Sequence, residues 1–334
     1  MKKILRALLV AALAVAAFCS YDWIKDNRLP NFKGHGELYV FPGDTPEDVI
    51  ARLSDAPGII SERSLRRTFE QKQVATYLKP GHYTIEPKTT SVYVARMLNN
   101  GWQTPVSVTL SGSLRTRQEL ARKISRQMQL DSVSVMRAFD DEELMAAYGV
   151  STENVFPLFH PATYEILWTA SLEDLIGKCR KAKDSFWTDE NRAKAAAVGL
   201  KPSEVEVLAS IVKGESNYKP ELRKIAGVYL NRINRGMLLQ ADPTVAYCYD
   251  YELKRILYRH LEFDSPYNTY KYPGLPPGPI NVPDPEYLEA VLNPDYGGGI
   301  LYFCASPNLD GTHVFAKTLE GHSRNARAFQ NSLK

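Results

Sequence analysis

The sequence is poor in the side chains that build disulfides and metal sites. Only four cysteines and six histidines occur among its 334 residues. No two cysteines have the CxxC spacing of a zinc ribbon, and the histidines are scattered, so we expect neither a metal ion nor another cofactor. Cys179, Cys248 and Cys304 follow the N-terminal region. At most one disulfide could join two of them, and we expect small buried residues instead.

Several common functional signatures are missing as well. The chain contains no GxSxG, P-loop or HExxH motif. Its formal net charge of +3 is small, and no basic surface interleaved with aromatics is apparent, so nucleic acid is not an expected partner. Apolar residues make up 44% and charged residues 24%. These values are ordinary for a globular protein, and the length is sufficient for two or three domains.

The N-terminus has the one long apolar run of the chain. A basic start precedes an uninterrupted run from Ala7 to Cys19. Counted from Ile4, with Trp23 as an interfacial residue, the run approaches the about 17–25 residues of a membrane span. We therefore predict an uncleaved transmembrane anchor at residues 1–23, with a cleaved signal peptide as the alternative. Under either interpretation the basic start places the body of the protein outside the cytoplasm.

Residues 24–105 are predicted to form a small α+β subdomain. A polar stretch, Lys25 to Gly36, is expected to be a stalk. The alternating segment GELYVF then predicts a strand, and Thr45 with Asp48 has the spacing of a helix cap. The segment GDTPEDVIARL resembles the LysM module, a glycan-binding βααβ unit. That resemblance covers about a dozen residues, and an ordinary capped helix is the alternative.

The remaining chain divides into a middle domain, residues 106–201, and a C-terminal domain, residues 202–334. The middle domain combines strand-like segments, including Thr163–Ile166, with helical apolar spacing after Asp131. The C-terminal domain begins with two helices and ends with two strand-like segments, ILYFCAS and THVFAKT, before a terminal helix. The predicted fold class is therefore α+β throughout, with a helical emphasis in the middle domain.

The first C-terminal helix opens at Pro202, with Ser203 as the expected N-cap and Glu206 at the capping-box position. Its apolar residues fall on one face, at Val205, Leu208, Ile211 and Val212.

Glu215 continues that apolar face, because it follows Ile211 by four residues and Val212 by three. A carboxyl group on an apolar face loses hydration, so its pKa rises and it retains a proton nearer to neutral pH. A general acid needs this property. The alternative is a solvated glutamate at a frayed helix end, paired with Arg223 or Lys224.

Two downstream segments supply candidate binding residues. The segment MLLQADPTV contains Gln240 and Asp242, and Asp242 is either a second acid or a turn residue. The loop from Ser265 to Pro285 contains seven prolines, which exclude regular structure over most of its length. A stiff loop with aromatic and amide side chains is suited to sugars. A loop without a ligand is the alternative. The candidates on this loop are Tyr267, Asn268, Thr269 and Tyr270.

Several of these segments coincide with a known pattern. The chain resembles the MltG/YceG-like endolytic murein transglycosylases of bacteria, through LASIVKGES, RKIAGVYLNRINRGMLLQADPTVAY, YNTYKYPGLPPGPI, LYFCA and HVFAKTLEGHSRNAR. These segments span most of residues 205–334. Many members of that family have a further acidic residue at one of the two positions occupied here by Lys213 and Gly214. Glu215 is consequently the only candidate acid in the motif.

The resemblance implies an endolytic lyase that cleaves the β-1,4 bond between MurNAc and GlcNAc without water, leaves 1,6-anhydroMurNAc ends and thereby terminates strand elongation. In that reaction Glu215 would serve first as the acid and then as the base. It further implies substrate contacts from Gln240, Tyr267, Asn268 and Tyr270, with Asp242 and Thr269 as weaker candidates. No cofactor is implied. The expected partners are nascent peptidoglycan strands, the inner membrane, which the chain crosses once with its catalytic body in the periplasm, and peptidoglycan synthases.

Two other function classes stay open at this point. One is a hydrolytic muramidase in which Asp242 or another acid positions water. The other is a non-catalytic glycan-binding scaffold of the synthesis machinery. A digest of purified peptidoglycan would distinguish the three classes. Anhydro ends would indicate the lyase, reducing ends the hydrolase, and an absence of fragments the scaffold.

Overall fold

The computed structural model describes residues 2–333 as helices with three two-stranded sheets. The strands are β1 Gly36–Val40, β2 Gly81–Ile85, β3 Val106–Thr109, β4 Thr163–Ile166, β5 Tyr302–Ala305 and β6 His313–Ala316. The helices are α1 Lys2–Asn27, α2 Pro46–Asp55, α3 Glu62–Gln71, α4 Val74–Tyr77, α5 Ser91–Asn100, α6 Arg117–Ser125, α7 Ser132–Phe139, α8 Glu142–Ala147, α9 Leu172–Phe186, α10 Asp189–Ala197, α11 Pro202–Glu215, α12 Leu222–Asn234, α13 Asp242–Cys248, α14 Pro285–Leu292 and α15 Leu319–Ser332. Met1 and Lys334, the ends of the first and last predicted domains, lie outside the described residues.

The mixture of helices and small sheets confirms the predicted α+β class. The chain divides into two compact units. The first unit comprises Met1–Ser107, Gln127–Gln129 and Glu165–Ala170, and the second comprises Val108–Arg126, Leu130–Tyr164 and Ser171–Lys334. Most of the predicted middle domain and all of the predicted C-terminal domain therefore belong to one compact unit.

The first unit is built around the antiparallel pair β1 and β2, in which Leu38 lies opposite Tyr83. Helices α2, α3 and α5 contribute apolar side chains to the same buried cluster. Thr45 caps α2 and Asp48 bonds back to the Thr45 backbone, as the spacing predicts. The element order is strand, helices, strand, helix. A LysM identity for this unit stays a prediction.

Helix α1 is long and apolar enough to cross a membrane, with a 20-residue candidate span at Leu8–Asn27 of mean hydropathy 1.6. Its apolar side chains are exposed, including Leu13 and Phe18. An anchor and a signal sequence share these properties.

The stalk predicted at Lys25 to Gly36 is wrong. Helix α1 continues to Asn27, and Asp26, Asn31 and Phe32 are each only 2% exposed. The Asn31 amide donates to the Ser61 carbonyl and accepts from the Ser61 backbone N–H. Composition misled the prediction, because these polar side chains find partners inside the first unit instead of water.

The second unit has its core between α11, α12 and α14, which pack on one another. Strands β5 and β6 pair in antiparallel fashion, with Phe303 opposite Phe315, and α15 packs against both strands. The terminal strand pair and helix confirm the predicted elements at this end of the chain. Together these elements enclose the last turn of α11.

The proline-rich loop has the predicted irregular structure, since residues 265–284 contain no helix or strand. Its second half is fixed to the middle of α11. The Ser210 hydroxyl accepts from the Ile280 backbone N–H at 3.0 Å, and the Asn281 amide donates to the Ser210 carbonyl at 2.8 Å. The loop is therefore held in place by buried hydrogen bonds as well as by its prolines.

The cysteines within residues 2–333 form no disulfide. Cys179 is fully buried, as expected, whereas Cys248 and Cys304 are half-buried and Cys19 is exposed on α1.

Candidate active site

Helix α11 has its N-cap two residues earlier than predicted. Lys201 is the N-cap, Pro202 is the first helical residue, and the Glu204 carboxylate accepts from the Lys201 backbone N–H at 2.7 Å. Proline at this position suits a helix start, because its missing N–H has no partner there in any case. The predicted Ser203 cap is therefore wrong by two residues.

Glu206 is not a capping residue either. Its carboxylate is buried, accepts from the Lys183 ammonium at 2.6 Å and accepts from the Trp187 indole N–H at 3.1 Å. A buried carboxylate requires such partners. Glu206 thus joins α11 to the end of α9.

The apolar face of α11 is as predicted. Four side chains on it, Val205, Leu208, Ile211 and Val212, are completely buried. Glu215 is the last residue of the helix, and the backbone becomes extended at Ser216. The helix therefore delivers one carboxyl group to the end of an apolar stripe, where it faces a cleft.

Burial raises the pKa of Glu215 to about 7. A hydrogen bond from Tyr229 opposes this effect and lowers the pKa, while the negative charge of Asp242 raises it further. A carboxyl group with a pKa near 7 is poised to donate a proton at neutral pH and to accept one in the next step.

The partner of Glu215 is the Tyr229 hydroxyl, which donates to Oε1 at 2.6 Å. Neither residue of the alternative interpretation takes this role. The Arg223 guanidinium donates to the Asn293 carbonyl, and the Lys224 ammonium lies 5.2 Å from the centre of the Phe315 ring. Glu215 is thus not a solvated end residue paired with a lysine or arginine.

A cleft of about 310 Å³ opens over Glu215. Helix α12 contributes one side, the segment before α13 a second, and strands β5 and β6 with α15 a third. The lining residues are Glu215, Tyr229, Arg232, Leu239, Gln240, Asp242, Tyr270, Phe303, Cys304, Ala305, His313 and His322.

Three of the six predicted substrate-binding residues line this cleft, namely Gln240, Asp242 and Tyr270. The Tyr270 hydroxyl donates to the Asp242 carboxylate at 2.6 Å, which fixes both side chains at the cleft edge. Gln240 is exposed and has a φ of 51°, a conformation that side chains other than glycine adopt rarely. Such strain often accompanies functional positions.

The other three predicted residues, Tyr267, Asn268 and Thr269, lie outside the cleft lining. The Tyr267 hydroxyl accepts from the Asn154 amide at 2.7 Å. Asn268 is fully buried and donates to two backbone carbonyls of the preceding segment. Thr269 is also buried, and its hydroxyl accepts from the Ala241 backbone N–H at 3.0 Å. These contacts hold the segments that carry Gln240, Asp242 and Tyr270.

Eight residues of the cleft lining were not predicted from the sequence, and four of them have side chains suited to hydrogen bonding, namely Tyr229, Arg232, His313 and His322. Tyr229 has the spacing of a core residue, and it is indeed 2% exposed, but its hydroxyl reaches Glu215. Arg232 is buried and donates to the carbonyls of Leu239 and Leu301, although its place near a helix end suggests a solvated charge. His313 and His322 are distant in sequence from α11. Only the fold brings them to the cleft.

A second cavity, of about 470 Å³, shares Glu215, Ala305 and His313 with the first. It extends along Ser216 to Tyr218 and the turn between β5 and β6. Glu215 therefore lies where two cavities meet, with space for a ligand on both sides. Within residues 2–333, no three metal-ligating side chains converge at either cavity.

We predict that Tyr229→Phe displaces the titration of Glu215. The Tyr229 hydrogen bond stabilises the carboxylate form, so its loss should raise the pKa of Glu215 further. The alkaline limb of the pH–rate profile should then move upward by about one pH unit, the size expected for one hydrogen bond to a charged group. Rates of glycan cleavage between pH 5 and 9 measure this. An unmoved limb would contradict the assigned role of the hydroxyl.

The fold and the cleft define an α+β protein with one partly buried carboxylic acid, Glu215, at the junction of two ligand-sized cavities. A sequence profile of the YceG-like family matches residues 38–328. The chain therefore belongs to the YceG-like family.

Its relatives agree with that placement. A Bacillus subtilis protein named endolytic murein transglycosylase is 30% identical over 302 residues, which cover 85% of this chain and 82% of the relative. A Streptococcus pneumoniae protein of the same name is 25% identical, and the match covers 97% of this chain but 64% of that protein. The crystal structure of a YceG-like protein from Listeria monocytogenes superposes with a TM-score of 0.56 at 28% identity, covering 87% of this chain and 99% of that one.

Proposed function

We propose that the chain is a membrane-anchored lytic transglycosylase that cleaves peptidoglycan glycan strands. The observation that carries the proposal is the partly buried Glu215, which ends the buried face of α11 in a cleft of sugar-sized volume and has its pKa raised to about 7. The Bacillus and Streptococcus relatives are named endolytic murein transglycosylases, and this similarity supports the same reaction class.

In the proposed reaction Glu215 acts twice. Its protonated carboxyl group donates to the oxygen of the β-1,4 bond between MurNAc and GlcNAc, and the bond to C1 breaks. The MurNAc C6 hydroxyl attacks C1, and the Glu215 carboxylate accepts the hydroxyl proton. The strand ends in 1,6-anhydroMurNAc, no water is consumed, and Glu215 regains its starting proton. Because the nucleophile belongs to the substrate, this mechanism needs no second carboxylate, unlike ordinary glycosidases.

The two cavities support cleavage within a strand. A long glycan needs room on both sides of the scissile bond, and Glu215 lies at the shared edge of the cavities. Tyr270 and Phe303 line the first cavity, and Tyr218 lines the second. Aromatic faces are suited to stacking against sugar rings. Gln240 lines the first cavity, and its amide would form hydrogen bonds to sugar hydroxyls.

The proposed location follows from α1. As an uncleaved anchor with its basic start inside, α1 would place both units on the periplasmic side of the inner membrane. Cleavage of strands as they emerge would terminate their elongation. The first unit, if it is LysM-like, would hold the strand, and peptidoglycan synthases are proposed partners.

The experiment that tests the reaction is a digest of purified peptidoglycan with the full chain, followed by mass spectrometry of the fragments. We expect anhydro ends, which are 18 mass units lighter than reducing ends. Reducing ends would instead indicate a hydrolase, and an absence of fragments would indicate a binding scaffold.

Asp242 is the specific reason to consider the hydrolase, because it lines the same cleft. We predict that Asp242→Asn continues to form anhydro ends. Its charge raises the pKa of Glu215, so the substitution should move the alkaline limb of the pH–rate profile downward, opposite to Tyr229→Phe. Fragment analysis and the pH profile measure both effects. Complete loss of products at every pH would favour Asp242 as an obligatory second acid.

A further inference from the structure

The end of α1 is fixed to the first unit by buried charges. Asp26 accepts two hydrogen bonds from the Arg67 guanidinium, at 2.7 and 2.9 Å, and a third from the Ser64 hydroxyl at 2.6 Å. Asp22, one turn earlier, lies 3.1 Å from the same guanidinium. A charged pair of this kind is directional, and Asp26 is almost completely buried. The first unit therefore has a defined position relative to α1.

The depth of that position follows from the aromatic residues of α1. The candidate span Leu8–Asn27 includes Asp26, which is bonded to Arg67 and Ser64 of the first unit, so we place the end of the hydrocarbon span near Trp23. Counted back to Ile4 this is 20 residues, about 30 Å of helix, which matches the hydrocarbon thickness of a bilayer. Tyr21 and Trp23 are exposed, as is typical of residues at a membrane interface. Phe18 precedes Trp23 by five residues, so it lies about 7 Å deeper along the helix axis.

Arg63, at the start of α3, reaches the level of Phe18. Its guanidinium carbon lies 5.9 Å from the centre of the Phe18 ring. If Trp23 marks the interface, an arginine beside Phe18 is at the boundary between headgroups and acyl chains. Arginine is tolerated at this depth when its charge meets a phosphate.

The basic side chains around the contact between Arg63 and Phe18 differ in whether they form ion pairs. Arg66 is paired with Glu47 and Glu62, and Arg67 is paired with the two aspartates of α1. By contrast, Arg63, Lys25 and Arg28 form no ion pair within the described part of the chain. Arg28 lies over the Trp23 ring at 5.9 Å, which repeats the arrangement of Arg63 over Phe18. The unpaired cations thus accompany the aromatic residues of the interface.

Apolar side chains are exposed beside these cations. Ile24 and Leu29 are each 44% exposed, and Ile60 is 56% exposed. The Ile60 backbone N–H donates to the Asn31 carbonyl, so Ile60 lies next to the segment that follows α1. Cations, aromatics and exposed aliphatic side chains together are the composition of a surface that contacts a membrane interface.

We propose that Arg63, supported by Lys25 and Arg28, binds the phosphate of anionic phospholipids and holds the first unit against the bilayer surface. This proposal rests on the membrane anchor of the proposed function. The guanidinium can donate two hydrogen bonds to one phosphate, while the Phe18 ring holds its stem in place. The first unit would then lie on the membrane and not above it on a flexible tether.

The test uses the full chain in lipid nanodiscs of two compositions, phosphatidylcholine alone and equal parts of phosphatidylcholine and phosphatidylglycerol. Amide hydrogen exchange is followed in the peptide that spans Ile60 to Arg67. We expect exchange there to be about fivefold slower in the anionic nanodiscs, the effect of one basic residue at an anionic surface. Arg63→Ala should abolish this difference. Arg180→Ala, which removes an exposed arginine from the second unit, should retain it.

The outcomes separate this proposal from the function on which it rests. Equal exchange in both lipids, or an unchanged difference in Arg63→Ala, would overturn the headgroup site while the anchor stands. A chain that does not remain with the nanodiscs would overturn the anchor and the headgroup site together. Digestion of peptidoglycan by the same preparation reports on the transglycosylase activity independently of both.

Discussion

Glu215→Gln should reduce glycan cleavage by about 10³–10⁴-fold, toward the upper end for loss of a general acid–base group. The amide keeps the shape of the side chain and can still accept the Tyr229 hydrogen bond. It cannot donate a proton to the glycosidic oxygen or remove one from the C6 hydroxyl. Release of anhydro fragments from purified peptidoglycan measures the loss. Activity equal to that of the wild type would refute the assignment of Glu215 as the general acid and base.

The same substitution should stabilise the protein at alkaline pH. The pKa of Glu215 is raised from 4.5 to about 7 by folding, so the native state holds this proton more tightly than the unfolded chain does. The stability contributed by that proton is complete below pH 4.5 and disappears as the pH rises through 7. A neutral amide avoids a loss of roughly 3 kcal/mol, the equivalent of the pKa difference.

Chemical denaturation at pH 4.5 and pH 8 tests the direction of this pH dependence of stability. Relative to the wild type, Glu215→Gln should be more stable at pH 8 than at pH 4.5. Glu252→Gln removes a carboxylate from an exposed loop position and serves as the matched control. A stability difference between Glu215→Gln and wild type that is the same at both pH values would show that Glu215 is not held protonated.

Local signals in the sequence were sufficient for most of the fold. Thr45 and Asp48 cap α2 because a cap depends on residues three apart, and the stripe of α11 follows from helical spacing alone. The seven prolines between Ser265 and Pro285 determine an irregular loop without help from distant residues. The position of Glu215 at the end of a buried face belongs to this group.

The remainder depends on contacts between distant segments. Nothing near Asn31 in the sequence indicates that its side chain bonds to the backbone of Ser61. The polar composition of Lys25 to Gly36 therefore predicted a stalk, although Asn31 is buried. The amide of Asn268 could bind a sugar hydroxyl by its chemistry, but it donates to the carbonyls of Leu261 and Phe263 in the preceding segment. His322 illustrates the reverse, since its place in the cleft depends on the packing of α15 against β5.

Gly214 connects the catalytic helix to the segment that carries Asp242. A Cβ atom at Gly214 would lie 2.7 Å from Pro243 Cγ, closer than real Cβ contacts. The proline ring cannot rotate away, and Pro243 is buried at the start of α13. The absence of a side chain at 214 therefore permits α11 and α13 to approach beside Glu215.

Gly214→Ala is accordingly expected to displace Glu215 and Asp242 together. Overpacking of this kind costs about 1–3 kcal/mol of stability. A displacement of about 1 Å at the reacting groups is expected to reduce cleavage by about 10²-fold. Denaturant unfolding and fragment release from peptidoglycan measure the two effects.

The matched control is Gly177→Ala, at an exposed position within α9 where a new Cβ has no neighbour within 4 Å. Alanine there should stabilise the protein by up to about 1 kcal/mol, because it has the higher helix propensity, and activity should be unchanged. If Gly214→Ala behaved like Gly177→Ala, the contact with Pro243 would not constrain the cleft. The two glycine-to-alanine substitutions are expected to change the stability in opposite directions. A loss of stability at position 214 would therefore result from the contact with Pro243 and not from the loss of a glycine.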